Sequence, residues 1–196
     1  VVKGAGEMAS AIAWRLYMAN LRRICMLDLD QPMCVRRQVS FCTALETGAA
    51  LVEGVRAVTA RDWRGIEAAW DAQSIAVVST TDWERIEAPV PEVLIDAILA
   101  KRNLGTRRDQ ARLVIALGPG FTAGVDCHLV IETNRGHDLG RIIACGSAEP
   151  NTGVPGNIAG HTDERVLHAP VAGTFDSRGA IGDSVRTDAI GAANAG

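Results

Sequence analysis

Apolar and polar positions change rhythm several times along the 196-residue chain. From Glu7 to Asn20 nearly every side of a helical projection is apolar, with Glu7, Ser10, Arg15 and Asn20 the clear exceptions. That pattern predicts a mostly buried helix lying on a parallel sheet. Ile24-Cys25-Met26-Leu27 is a short apolar run ending at Asp28, which predicts a buried strand. Pro32 permits a second helix start, with Val35, Val39 and Cys42 on one face and Arg36, Arg37 and Ser40 pointing elsewhere. Strand is expected over Val52 to Val58 and helix over Arg61 to Ala72. Ile75-Ala76-Val77-Val78 and Val93-Leu94-Ile95 are β-like runs, and the alternation favours a parallel α/β sheet.

After the polar break Arg107-Arg108-Asp109-Gln110 the texture turns β-rich. Leu113 to Leu117, Cys127 to Glu132 and Leu139 to Cys145 read as strands separated by Gly-rich loops, and short strands punctuate the chain from about Asp163. The expected divisions are therefore an α/β domain over 1–106, a Gly-rich strand region completing the sheet over 107–162, and a β segment over 163–196. The chain does not begin with Met, and Val1-Val2-Lys3 is short for a strand, so an incomplete chain is expected.

Composition narrows the function classes. An apolar fraction of 47% suits a packed core, and aromatics at 4% leave Val, Ile, Leu and Ala to build it. The formal charge of −3 argues against a general nucleic-acid or anionic-membrane surface. Cys25, Cys34, Cys42, Cys127 and Cys145 are odd in number and contain no CxxC pair. They suit reduced thiols in a cytoplasm better than a disulfide framework. No G-x-S-x-G, Walker A or HExxH motif occurs, so hydrolase, nucleotide triphosphatase and zincin readings have no support.

Four places carry candidate chemistry. Gly4-Ala5-Gly6-Glu7-Met8-Ala9 joins strand to helix as a Rossmann-like turn, in which Gly4 and Gly6 let backbone approach a phosphate. Asp28, 22 residues past Gly6, stands where a ribose-binding acid would sit in an NAD(P)-dependent oxidoreductase. Glu7 complicates that reading, because a carboxylate in the first helical turn occupies the place a pyrophosphate needs. Arg36 and Arg37 form a candidate anion clamp or a solvated face. In the loop Gly118 to Gly124, successive amides from Gly120 onward could nest an anion, with Gly118, Phe121 and Thr122 beside them. Asn134, Arg135, His137 and Asp138 lie between two strand-like runs and combine donors, a clamp and a titratable group. His137 is the candidate catalytic residue. Asp126 and His128 flank Cys127 on one expected strand face, where a structural pair outweighs a metal site and no metal is expected.

The longer runs carry a resemblance. Gly4 to Ala9, Val35-Arg36-Arg37-Gln38-Val39-Ser40-Phe41, Asp96 to Thr106, Ile115 to Asp126, Glu132 to Arg141 and Gly146 to Gly153 resemble the selenium-dependent molybdenum hydroxylase accessory family. That family is sometimes called YqeB-like and is distantly similar to XdhC-type molybdenum cofactor insertion factors. The resemblance implies a cytoplasmic bacterial accessory protein with a Rossmann-like domain, which binds a molybdopterin-type cofactor and works with a molybdenum hydroxylase subunit. The alternatives that stay open are an NAD(P)-dependent oxidoreductase and a docking scaffold for such a subunit. Ala169-Pro170, Gly173, Ile181-Gly182-Asp183 and Asp188 are similar to a partial barrel-sandwich of biotinyl/lipoyl type. Thr187 replaces the usual Gly, and no Lys is present to carry a swinging arm.

Overall fold

A computed structural model describes residues 1–154, 156–162, 171–177, 183–184 and 192–195. The chain divides into two compact units, Val1–Asn151 and Thr152–Gly196.

In the first unit, β1 (Val2–Lys3) runs through the Gly turn into α1 (Glu7–Met18), followed by β2 (Cys25–Asp28). A short α2 (Ala44–Thr47) precedes the hairpin of β3 (Ala49–Val52) and β4 (Val55–Thr59). Next come α3 (Trp63–Asp71), β5 (Ile75–Ser79), α4 (Thr80–Trp83), β6 (Val93–Asp96) and β7 (Leu113–Leu117). The remaining strands are β8 (Thr122–Ala123), β9 (Leu129–Ile131), β10 (Ile142–Ile143) and β11 (Gly146–Ser147). Nine of these strands form one sheet in the order β10-β9-β7-β6-β1-β2-β5-β4-β3, and β11 pairs with β8 apart from it. The pairs from β4 across to β9 are parallel, while β3 and β10 close the edges antiparallel. The expected parallel α/β sheet is present.

Both faces of its middle are covered, as parallel strands require. Val2, Met26, Val77 and Ile95 pack with Ala9, Ala13 and Tyr17 of α1 and with Phe41. Cys25, Leu27, Ala76 and Val78 pack on the other face with Ile66 and Ala69 of α3. A third cluster, including Val114, Ala116, Phe121 and Val130, fills the β7–β9 wing.

Three expectations need correction. Helix α1 buries one stripe, Ala9, Ser10, Ala13 and Tyr17, while Met8 and Met18 are exposed, so it is not buried all round. The helix expected after Pro32 is absent, because this stretch carries 3-10 turns at Arg37–Val39 and Phe41–Thr43. Val35 is 86% exposed whereas Cys42 is fully buried, so they share no face. The backbone amides of this segment are engaged elsewhere. Arg36 N–H donates to Glu7 Oε1, Phe41 N–H to Ser10 Oγ, and Cys42 N–H to the Ala5 carbonyl. Those anchors hold the segment against the Gly turn and deny it continuous helical bonding. Third, Asp126 belongs to the turn after β8, not to the strand that begins at Leu129, so Asp126 and His128 do not alternate along one strand.

In the second unit, β12 (Thr174–Ser177) pairs antiparallel with β13 (Ala192–Ala195). Ala169, Pro170, Ile181, Gly182, Thr187 and Asp188, on which the barrel-sandwich likeness rests, lie outside the described residues.

Candidate functional site

The direction of winding reverses at β1, which has β2 on one side and β6 on the other. In open parallel sheets, the loops at strand carboxyl ends beside such a reversal are where ligands bind. Here the loops after β1, β6, β7 and β9 meet in series, each fitted to the next by a glycine.

Gly4 has φ +94°, a conformation that disfavours other residues, and a Cβ there would meet the Ala97 carbonyl oxygen at 3.1 Å. Its N–H donates to the Leu27 carbonyl at 2.7 Å. Gly120 has φ +103°, and a Cβ would come within 2.5 Å of Arg102 Cα. Gly118 has φ +75°, and a Cβ would stand 2.5 Å from Thr133 Oγ1. The second Gly-rich loop is thus wedged between the segments that follow β6 and β9. Gly6 differs, since a Cβ there would meet nothing within 4 Å.

Carboxylates at the strand ends tie this rim together. Asp28 Oδ2 accepts the Ala5 N–H at 2.6 Å, and Oδ1 accepts the Leu29 N–H at 2.8 Å. Glu132, buried just past β9, accepts the N–H groups of Thr133, Asn134 and Glu149 at 2.8, 2.7 and 2.8 Å. Burial is the strongest influence on this carboxyl and pushes its pKa up, but the three donors outweigh it and hold the group below the usual carboxylate range. Asp96, buried at the end of β6, accepts the Thr106 hydroxyl proton at 2.6 Å. Lys3 Nζ donates to Thr106 Oγ1 at 2.7 Å and to Gln110 Oε1 at 3.1 Å. Burial pushes the Lys3 ammonium below its usual pKa, partly offset by Asp96.

Between Asp96 and Thr106 the chain is strained. Leu99 and Lys101 are non-glycine residues with φ of +60° and +61°. Such conformations cost about 1–3 kcal/mol each and concentrate at ligand clamps and active sites. Sequence reasoning missed Glu132, Lys3, Leu99, Lys101 and Arg102. An acid or a Lys at the carboxyl end of an apolar run was the available signal for Lys3, Asp96 and Glu132; none existed for the strain.

Not every expected residue reaches the rim alike. Arg36 is exposed, and its backbone binds Glu7, whereas the Arg37 guanidinium pairs with Glu46. Phe121 is 4% exposed and packs in the β7–β9 core. Thr122 Oγ1 lies 3.1 Å from Ser147 Oγ. Asn134 Nδ2 donates to the Glu149 carboxylate, Arg135 and His137 are exposed, and Asp138 pairs with Arg141 at 3.6 Å. Asp126 accepts the Thr122 N–H and His128 Nδ1 accepts the Val114 N–H, so each has a separate backbone partner. Among the described residues, no cluster of three or more His, Cys, Asp or Glu could hold a metal ion.

At the N-terminus of α1, the backbone N–H groups of Glu7 itself and of Arg36 hold the Glu7 carboxyl below the usual range. The helix therefore ends in a fixed negative charge, and incoming anions need side-chain cations instead. Exposed Arg36, Lys101, Arg102 and Arg135 stand on three loops, those after β2, β6 and β9. A hollow of about 460 Å³ opens at the amino ends of the strands beside Trp63, Trp70, Trp83 and Pro91. It is apolar and separate from the polar rim, so its size does not identify the site.

Fold and rim together define an α/β protein with a mostly parallel sheet and a candidate ligand site at its carboxyl edge. The chain is 48% identical over 186 residues to the uncharacterised protein YqeB of Escherichia coli (strain K12). The aligned region is 95% of this chain and 34% of that protein, so the chain spans about a third of its relative's length. The likeness extends over nearly all of this chain. No family model and no solved structure matches it. Among the described residues, no helix is long and apolar enough to cross a membrane.

Proposed function

We propose that this chain binds a phosphate-bearing, molybdopterin-type cofactor as an accessory protein for selenium-dependent molybdenum hydroxylases. The fold is read as Rossmann-like, put to use on a pterin, with a cytoplasmic location and a hydroxylase subunit as partner. The observation that carries the reading is the run of strand-end loops after β1, β6, β7 and β9, fitted one to the next by Gly4, Gly120 and Gly118.

The residues suit such a ligand. Molybdopterin presents a phosphate and an amide-rich ring, which call for guanidinium groups and paired donors and acceptors. Arg36, Lys101, Arg102 and Arg135 supply the cations, and Asn134 with Asp138 the polar edge. The exposed His137 imidazole would hydrogen-bond the ring or move a proton at its nitrogen. The pterin would supply the metal-binding dithiolene chemistry, and the protein would hold and orient it.

A dinucleotide is the weaker fit. Both Asp28 oxygens already accept backbone N–H groups, and the Glu7 carboxylate occupies the α1 terminus where a pyrophosphate would dock. Calorimetric titration decides this point: micromolar affinity for NAD or NADP would replace the pterin reading with an oxidoreductase. If Arg135→Ala with His137→Ala left hydroxylase maturation intact in cells, a docking scaffold would replace it instead.

A further inference from the structure

Five cysteines are present, and two of them face each other. Cys42, in the 3-10 turn Phe41–Thr43, is fully buried, and its N–H is fixed to the Ala5 carbonyl at 2.9 Å. Cys34, eight residues earlier, is half-buried. The Cys42 thiol donates to Cys34 Sγ with the sulfurs 3.1 Å apart. A disulfide needs about 2.05 Å, so closure asks for roughly 1 Å of sulfur movement. The backbone anchors of this segment follow Cys34, beginning with Val35 and Arg36 on the Glu7 carboxylate.

We propose that Cys34 and Cys42 form a reversible dithiol–disulfide site that exchanges with low-molecular-weight disulfides such as oxidised glutathione. The Cys34 thiolate attacks one sulfur of the small disulfide, which releases one thiolate and leaves a mixed disulfide on Cys34. Cys42 then loses its proton to solvent and attacks Cys34 Sγ, which expels the second small thiolate. Both released thiolates take up the protons the two cysteines lost. Two protein thiols are oxidised, and one small disulfide is reduced to two thiols.

The order follows from the surroundings. Burial first, then the bond to Cys34, pushes the Cys42 thiol up to about 12, so the half-buried Cys34 meets the reagent. Once Cys34 carries the mixed disulfide, its charge no longer opposes ionisation of Cys42. The finished bridge closes a ring over residues 34–42, which carries Arg36 and lies against the Gly4–Gly6 turn.

The test uses the full chain equilibrated with oxidised or reduced glutathione, then denatured, alkylated and digested with trypsin. Cleavage after Arg23, Arg36, Arg37 and Arg56 gives peptides 24–36 and 38–56, which hold Cys34 and Cys42 respectively. Oxidation is expected to join these two as a pair that dithiothreitol separates, and to lower alkylatable thiols by two, from five to three. Cys25 shares peptide 24–36, so Cys34→Ser is the control and should yield no linked pair. Glutathione confined to the exposed Cys145, an adduct that stops on Cys34, or a linked pair persisting in Cys34→Ser would each overturn the proposal.

Discussion

The two Gly-rich turns of this chain look alike in sequence and do different things in the structure. In Gly118–Gly124 the first two glycines remove side chains that would strike Thr133 and Arg102, so that end of the loop is a packing joint, while Gly124 has no such neighbour. In Gly4–Gly6 only the first glycine has a close neighbour, and space stays open beside the second. Each is stabilised by a carboxylate from an adjacent strand end, Asp28 for the first and, through Thr133, Glu132 for the second. Glycine density therefore reports close backbone approach without saying whether the neighbour is a ligand or another loop.

Substitutions can sharpen that contrast, beginning with the strongest. Gly120→Ala should cost about 3 kcal/mol or more, since a left-handed backbone and a collision with the Arg102 backbone act together. Gly6→Ala should cost only about 0.5–1 kcal/mol, the difference between Gly and Ala at a helix N-cap. Urea unfolding of both variants measures the gap, and equal losses would erase the distinction between joint and open turn.

Glu132→Gln should lose about 2–3 kcal/mol, because an amide keeps one acceptor oxygen where three N–H groups converge. The carboxyl is held below its ordinary 4.5 in the fold, so its contribution is full above that pH and falls away as the pH drops through the lowered value. Wild type should therefore lose stability on acidification below about pH 4.5, and Glu132→Gln should show a flatter acid limb in denaturant midpoints. Asp28→Asn, in the first turn, should lose about 1–2 kcal/mol, as two N–H donors compete for one oxygen. A reversed order of Glu132 and Asp28 would show that the first turn, not the second loop, is the tighter joint.

Much of this architecture was legible in the chain. Strands β2, β5, β6 and β7 are buried on both faces, so they read as unbroken apolar runs, and the helix expected over Arg61 to Ala72 is present as α3. The stretch after Pro32 was not legible, because Glu7, Ser10 and Ala5 capture its amides from far away in sequence. At the rim, the loops after β1, β7 and β9 were visible as Gly-rich or polar breaks after strands. The strap from Asp96 to Thr106 was not visible as part of it. Its place depends on Leu99 and Lys101 adopting positive φ, and neither residue type announces that. Phe121 read as a loop aromatic although its ring completes the core behind that loop.

The proposed function is that the strand-end loops of this chain hold a phosphate-bearing pterin. The most direct test is anaerobic purification under native conditions, followed by fluorescence and mass spectrometry of the small molecules released on denaturation. The account predicts a phosphorylated pterin with the wild-type chain and about tenfold less with Arg102→Ala at unchanged stability, the loss of one charge-assisted phosphate contact being worth roughly 1.4 kcal/mol. A wild-type chain that repeatedly yields no pterin, while binding NAD or NADP in solution, would contradict it.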